Sequence, residues 1–192
     1  IEEVFTGDAK EIDAVCKMLE TDATHTIKAV AYAVKGEENG LVLAFVRGDK
    51  EINEAKLKKA TGKDIAPFSA ENDSRLCAGN IGPIGLKIDT DTIVVYDQSL
   101  EGAVNMIIGA NKKDYHLKNV SVSRDLPNIQ FVDIAKVKDG DKCPICGKPV
   151  KIVHGIEIGN IFQLGTKYTA SMKMNVKDAE GNEFAPIMGC YG

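Results

Sequence analysis

The sequence lacks a hydrophobic run long enough to cross a membrane, since a spanning helix needs about 20 apolar residues. Its first residues also lack the basic start and apolar middle of a secretory signal peptide. It has no excess of positive charge, because 24 lysines and arginines stand against 28 aspartates and glutamates and the net charge is -4. These absences argue against a membrane protein or a nucleic-acid coat protein, and they limit any RNA contact to local patches.

Cysteine is scarce and odd in number, with five in 192 residues. This usage argues against a disulfide scaffold and for a reducing compartment, so we expect a cytoplasmic protein. The chain begins at Ile1, without an initiator methionine. It ends at Tyr191 and Gly192, directly after an apolar run. We therefore expect a piece of a longer protein.

The usual nucleophile motifs are also missing: there is no GxSxG elbow and no obvious Ser–His–acid or Cys–His set. What the chain does have is a dense glycine loop at residues 77–86, with Gly79, Gly82 and Gly85 around Pro83. It fits neither the Walker nor the dinucleotide pattern. Its amides could face a phosphate or a carbonyl oxygen, and a tight surface turn is the alternative.

Hydrophobic periodicity predicts an α/β (α+β) fold with a mixed, largely antiparallel sheet and surrounding helices. Helices are predicted over residues 8–19 (capped by Asp8), 51–60 and 69–77. Strands are predicted over residues 26–34, 41–46, 86–89, 92–96 and 131–137 and around Val120, with a hairpin turn at residues 37–40. Lys28 lies inside the first strand, and Asp97 follows the fourth.

A CPxCG knuckle at residues 143–147 has the form of half a zinc site. Structural zinc takes four ligands, and only His154 and Cys190 could supplement Cys143 and Cys146. We therefore expect a tight turn without a metal.

The C-terminal part of the chain carries a resemblance. Residues 154–168 and 187–192 resemble bacterial-type prolyl-tRNA synthetases, and the second segment resembles the stretch before class II motif 3. His154 and Asn160 depart from the family's usual arginine and histidine. The resemblance implies remnants of the synthetic site at Glu157, Phe162, Gln163, Gly165 and Cys190. Because motifs 1, 2 and 3 are missing, we expect no aminoacylation by this chain.

Residues 1–137 are similar to the insertion domain of that family and to the free-standing YbaK-type deacylases. The matches lie at Lys28, the glycine loop, Asp97, and residues 109–111 followed by His116. Gly7 and Ala29 depart from the family's proline and threonine. The resemblance implies an editing domain over residues 1–137, followed over 138–192 by a linker, the knuckle and part of a class II core. It also implies hydrolysis of alanine mischarged onto proline tRNA.

The implied roles follow from the chemistry of an activated ester, which needs a positioned water and oxyanion stabilisation rather than a protein nucleophile. Lys28 would anchor a phosphate or the adenosine. His116 would donate a hydrogen bond or act as general base, and Asp97 would hold the substrate α-ammonium or orient Lys28. Thr6 would line the pocket and limit its size. The loop adds Gly82 to the catalytic set, with substrate contacts at Gly79, Ile81, Pro83 and Gly85.

No cofactor is expected for editing, whereas the intact parent would use ATP and magnesium and would be a homodimer. The expected partner is the acceptor end of proline tRNA. One alternative is an insertion that only binds this end and has lost editing, which the Gly7 and Ala29 departures leave open. A free-standing editor is a third hypothesis, and the segment after Cys143 argues against it.

Overall fold

The computed structural model describes residues 1–192, the side chain of Asn72 apart. The strands are β1 Glu2–Phe5, β2 Ile27–Val34, β3 Leu41–Arg47, β4 Ile65–Pro67, β5 Thr92–Asp97, β6 Met106–Gly109, β7 Tyr115–Val120, β8 Phe131–Val132, β9 Ile161–Gly165, β10 Val176–Lys177, β11 Glu183–Phe184 and β12 Met188–Tyr191. The α-helices are α1 Ile12–Met18, α2 Glu54–Thr61, α3 Val122–Asp125 and α4 Lys167–Ser171.

Two sheets form the body of the fold. The larger has five strands in the order β4-β2-β3-β5-β8, antiparallel from β4 to β3 and parallel from β3 to β8. The smaller has three antiparallel strands in the order β1-β7-β6. This mixed, largely antiparallel arrangement confirms the fold class predicted from the sequence.

Strand β3 is the centre of the core. Successive side chains of a strand point to opposite faces, and a strand covered on both faces reads as a continuous hydrophobic run. Leu41, Leu43 and Phe45 pack with residues of β6 and β7 on one face. Val42, Ala44 and Val46 pack on the other face with α2 and the segment after β8. All six side chains are buried, so β3 fixes the position of both layers.

The two sheets meet at the start of β2. Thr26, which precedes β2, forms a parallel bridge with Ile107 in β6. Ile27 packs in the same hydrophobic cluster as Met106 and Ile108. The first residues of β2 and the end of β6 are therefore held side by side, and the candidate site lies there.

The helices differ from the prediction at their N-termini. α2 starts at Glu54 because the Asn53 side chain accepts from the amides of Ala55 and Lys56. It ends at Thr61, where Gly62 caps it in the left-handed region at φ 67°. α1 starts at Ile12 rather than Asp8, because the Ala9 amide donates to the Thr6 carbonyl and makes a turn there.

Three predicted elements do not form as expected. The strand predicted over residues 131–137 is reduced to β8 at Phe131–Val132, since the amides of Ile134 and Ala135 donate to the Asp97 carboxylate instead. The predicted helix at 69–77 is a single 3-10 turn at Ala70–Asn72. The Asp73 side chain accepts from the Arg75 amide and guanidinium, which favours a turn over a continued helix. Residues 86–89 form no strand. Strand β1 was not predicted, since its run of Glu2 and Glu3 has few apolar residues.

The part of the chain after residue 138 forms small separate sheets and is largely exposed. β9 pairs with β12, and β10 pairs with β11, each as a separate two-stranded sheet. Thr169 is the one buried residue among the described residues 138–192. Across the described helices, none is both long and apolar enough to span a bilayer.

Candidate functional site

A cavity of about 200 Å³ opens where the two sheets meet. Five segments line it: the start of α1, the start of β2, the glycine loop, the end of β6 and the start of β7. The lining residues are Lys10, Glu11, Ile12, Val15, Thr26, Ile27, Lys28, Ala29, Gly79, Ile81, Ile107, Gly109 and His116. Lys28, His116 and two residues of the glycine loop, which are distant in sequence, therefore share one cavity.

Lys28 is fixed at the cavity by one hydrogen bond. Its Nζ donates to the Gly48 carbonyl at 3.1 Å. An ammonium has three donors, so two remain for a ligand. Partial burial lowers the pKa of Lys28, and the nearby carboxylate of Glu51 opposes this by favouring the charged form. Lys28 thus supplies a partly desolvated cationic group whose direction is set by the backbone.

His116 is the other titratable group on this wall. The side chain is 6% exposed, and its Nδ1 lies 2.7 Å from the Thr6 hydroxyl. The Thr6 hydroxyl also donates to the Asp114 carbonyl at 3.3 Å, and Thr6 itself is buried. Nε2 of His116 has no hydrogen-bond partner among the described residues. Thr6 is not in the cavity wall and acts on it through His116.

The state of His116 leads to a pH prediction. Burial lowers the pKa of His116 below its ordinary 6.5. The unfolded chain binds a proton there more readily than the folded one. This contribution to stability is therefore fully present above about pH 6.5 and is lost as the pH falls through the lower folded pKa. We expect the unfolding free energy of the wild type to fall more steeply between about pH 7 and 5 than that of His116→Gln. Urea denaturation of both proteins measures this, and parallel pH profiles would contradict it.

Two asparagines hold the glycine loop, and neither stood out as a residue that positions the loop. Asn111 Oδ1 accepts from the Gly82 amide at 3.0 Å, and its Nδ2 donates to the carbonyls of Gly82 and Ile84, both at 2.8 Å. Asn80 is 1% exposed and bonds to the backbone of Asp114 and Tyr115. The loop is therefore tied to the segment between β6 and β7 by side-chain amides.

The loop also crosses the end of β6 in backbone contact. A Cβ on Gly82 would lie 1.8 Å from the Gly109 carbonyl oxygen, and one on Gly109 would lie 2.2 Å from the Asn80 carbonyl oxygen. Only glycine fits at either position. The Gly82 amide is occupied by Asn111. The amides of Gly79 and Ile81 have no acceptor in the described part of the chain, and both residues line the cavity. They are the candidate oxyanion donors.

Asp97 lies elsewhere. Its carboxylate accepts from the amides of Ser99 at 2.8 Å and of Ile134 and Ala135, both at 2.9 Å. It is 2% exposed and borders a separate hollow with Arg47 and Lys50. Asp97 therefore caps the start of the 3-10 turn Gln98–Leu100 and fixes the segment after β8.

The remaining predicted site residues are not in the wall of the cavity either. Gly82, Pro83 and Gly85 belong to the glycine loop but do not line the cavity. The predicted synthetic-site residues lie in or beside the β9–β12 ladder, where Phe162 pairs with Cys190. Those residues are Glu157, Phe162, Gln163, Gly165 and Cys190.

The CPxCG knuckle forms the predicted tight turn. The Gly147 amide donates to the Cys143 carbonyl at 2.8 Å, and the Cys143 amide donates to the Lys148 carbonyl at the same distance. Hydrogen bonds from the backbone of Cys146 and Ile145 lower the pKa of the Cys143 thiol. Within the described residues, no group of three or more His, Cys, Asp or Glu side chains clusters as metal ligands would.

Comparison with known proteins places this geometry in a family. The family model for the aminoacyl-tRNA editing domain matches residues 6–126. The chain belongs to the aminoacyl-tRNA editing domain family. The matched range begins at Thr6, includes Lys28, the glycine loop and His116, and so spans the polar groups of the cavity.

The relatives over the whole chain are proline–tRNA ligases. The chain is 39% identical over 195 residues to that of Sulfurihydrogenibium sp., covering 100% of this chain and 34% of that protein. It is 43% identical over 192 residues to that of Campylobacter concisus, covering 98% of this chain and 33% of that protein. The chain therefore spans about one third of the length of these ligases.

Solved structures agree on the fold. A protein described as a candidate trans-editing enzyme for prolyl tRNA synthetase superposes with a TM-score of 0.57 at 15% identity, covering 71% of this chain and 87% of that one. A hypothetical protein gives a TM-score of 0.59, also at 15% identity, with 70% and 91% covered. The likeness extends over the editing-domain fold.

Proposed function

We propose that this editing domain hydrolyses the ester bond of alanine mischarged onto proline tRNA. The observation that supports this most directly is the cavity itself. It brings together the Lys28 ammonium, the amides of Gly79 and Ile81, which have no acceptor among the described residues, and His116, whose pKa is lowered by burial. These are the groups that an activated ester needs: an anchor for the nucleotide, oxyanion donors and a hydrogen-bonding imidazole.

The size of the cavity supports a small aminoacyl group. Pockets for drug-sized ligands measure about 300–1,000 Å³, whereas this one measures about 200 Å³. Its apolar walls include Ala29, Ile81 and Ile107. A synthetic pocket built for proline cannot strongly exclude the smaller alanine, so a second pocket must separate the two by size. Alanine would enter here, and proline would be rejected.

The chemistry would proceed by direct attack of water. The lining residues include no serine or cysteine that could form an acyl intermediate, and the hydroxyl of Thr26, which does line the cavity, donates to the Ala23 carbonyl at 3.0 Å. A water molecule would add to the ester carbonyl, and the negative charge on its oxygen would be stabilised by the loop amides. The ester C–O bond would then break and release alanine and the terminal ribose hydroxyl. The neighbouring ribose hydroxyl would help to deliver the proton, while His116 would hydrogen-bond to the ribose or the carbonyl.

The surroundings fit an editing domain that depends on its parent enzyme. We propose residues 1–137 as the editing domain and residues 138–192 as linker, knuckle and partial class II core. The parent, a cytoplasmic homodimer, would join proline to its tRNA with ATP and magnesium. Three lysines on α2 and just after it, Lys56, Lys58 and Lys63, each pair with a carboxylate. Few cations remain there for the tRNA body, so other parts of the parent would bind it.

The deciding experiment is single-turnover deacylation of proline tRNA charged with alanine, proline or cysteine. We expect hydrolysis of the alanyl ester, with the prolyl ester spared, at enzyme concentrations well above those the parent would need. Binding of the alanyl-tRNA without hydrolysis would instead support an insertion that only holds the acceptor end. Equal hydrolysis of alanyl and prolyl esters would contradict selection by pocket size.

Lys28→Ala tests the anchor. Losing one charged hydrogen bond costs about 1–3 kcal/mol, so we expect deacylation of alanyl-tRNA to slow by roughly 5- to 150-fold. Lys35→Ala is the matched control, because Lys35 follows the same strand and pairs at the surface with Asp64. Single-turnover rates of the three proteins give the comparison. An unchanged rate in Lys28→Ala would remove Lys28 from the mechanism.

A further inference from the structure

One carboxylate lines the cavity, and its side chain has no hydrogen-bond or ion-pair partner among the described residues. Glu11 is the only acidic residue among the lining residues. It directly precedes α1, and its side chain makes no capping hydrogen bond. Glu11 forms no ion pair among the residues that the structure describes. Lys28, which lines the same cavity, donates to the Gly48 carbonyl instead. A carboxylate in this position is available to a cationic ligand.

We propose that Glu11 binds the α-ammonium of the aminoacyl group and so selects for a free amino acid ester. This inference rests on the proposed function and adds a specificity residue to it. The α-amino group of a substrate has an ordinary pKa of about 7.7–8.0, so most of it is cationic at neutral pH. A carboxylate within the same cavity is its natural partner, since a charge-assisted hydrogen bond is stronger than a neutral one.

Asp97, the other candidate for binding the α-ammonium, uses its carboxylate in hydrogen bonds within the protein. The resemblance pointed to Asp97 as a holder of the α-ammonium, but all the hydrogen bonds found for its carboxylate are to backbone amides, and it borders a separate hollow. That leaves Glu11 as the cavity's acid.

The charges on the cavity walls also match the two ends of the substrate. Lys28 presents a cation with two unused donors, and Lys10 lays the stem of its side chain against Gly79. The terminal nucleotide carries a phosphate, and the aminoacyl group carries the ammonium. The substrate's phosphate would therefore suit Lys28, and its ammonium would suit Glu11, with the ester near the loop amides.

The sharpest test replaces the ammonium without changing the size of the substrate. Lactyl-tRNA carries a hydroxyl where alanyl-tRNA carries the ammonium. We measure single-turnover rates on both substrates for the wild type, Glu11→Gln and Asp13→Asn. Asp13 is the matched control, because it lies in the first turn of α1 but does not line the cavity. The alanyl-to-lactyl rate ratio of each protein removes the intrinsic difference between the two esters.

We expect Glu11→Gln to lower this ratio by roughly 5- to 20-fold, while Asp13→Asn leaves it at the wild-type value. An active wild type whose ratio is the same in Glu11→Gln overturns the assignment and leaves the proposed function standing. A wild type that hydrolyses neither ester overturns the proposed function. In that case, binding of amide-linked alanyl and lactyl analogues of adenosine still tests the role of Glu11. Equal affinity of the wild type for the two analogues would overturn the assignment of Glu11.

Discussion

Gly82→Ala should destabilise the protein by about 3–5 kcal/mol and reduce deacylation by about 100-fold. The new Cβ would lie 1.8 Å from the Gly109 carbonyl oxygen and 2.8 Å from its carbon. Both atoms are backbone, so neither can rotate away, and the loop must move off the end of β6. That movement breaks the two hydrogen bonds between Gly82 and Asn111. It also shifts the neighbouring amide of Ile81 away from the cavity.

Gly85→Ala separates this contact from the general cost of altering a glycine. Gly85 lies in the same loop at φ 71°, and a Cβ there would meet no atom within 4 Å. Its replacement should cost only the strain of a left-handed residue, about 1–2 kcal/mol. Urea denaturation gives the stability, and single-turnover deacylation gives the rate. Similar losses in both variants would show that the crossing of Gly82 and Gly109 does not control the site.

The larger elements were predictable because their patterns are local. β2, β3 and the turn between them follow from a β-branched run, a charged turn and a second apolar run, and β3 is buried on both faces. The predictions failed where side-chain hydrogen bonds override periodicity. The Asp73 carboxylate holds the amide and guanidinium of Arg75 and stops the predicted helix. A strand as short as β1 takes its conformation from its partner β7, which the local sequence cannot show.

The sequence pointed to individual residues of the candidate site but not to the hydrogen bonds that link them. The glycine density and the family resemblance pointed to the loop, Lys28 and His116, and these lie at one cavity. The resemblance also suggested Gly82 as a catalytic residue. Its amide is taken by Asn111, and Gly79 and Ile81 carry the unpartnered amides. Which amide is free depends on a side chain 29 residues away in sequence. Glu11 gave no sequence signal, since a charged residue before a helix is ordinary.

Asp97→Ala should be among the most destabilising substitutions in the chain, at about 3–6 kcal/mol. Its carboxylate is 2% exposed and accepts from the amides of Ser99, Ile134 and Ala135. Removing it leaves backbone donors without a partner in a buried site, each costing about 1–3 kcal/mol. A loss of this size approaches the 5–15 kcal/mol by which a typical domain is stable. Asp91→Ala, at an exposed residue just before β5, should change stability by less than about 0.5 kcal/mol.

Asp97→Asn decides whether this aspartate also serves the chemistry. The amide keeps one acceptor oxygen, so the protein should fold with a smaller loss of stability. If Asp97 acts only by fixing the segment after β8, the folded variant should deacylate alanyl-tRNA within about threefold of the wild-type rate, because its side chain borders a different hollow from Lys28 and His116. Single-turnover rates taken well below the unfolding temperature, alongside urea denaturation, measure the two effects separately. A variant that stays as stable as the wild type but loses more than about tenfold in rate would return Asp97 to the reaction.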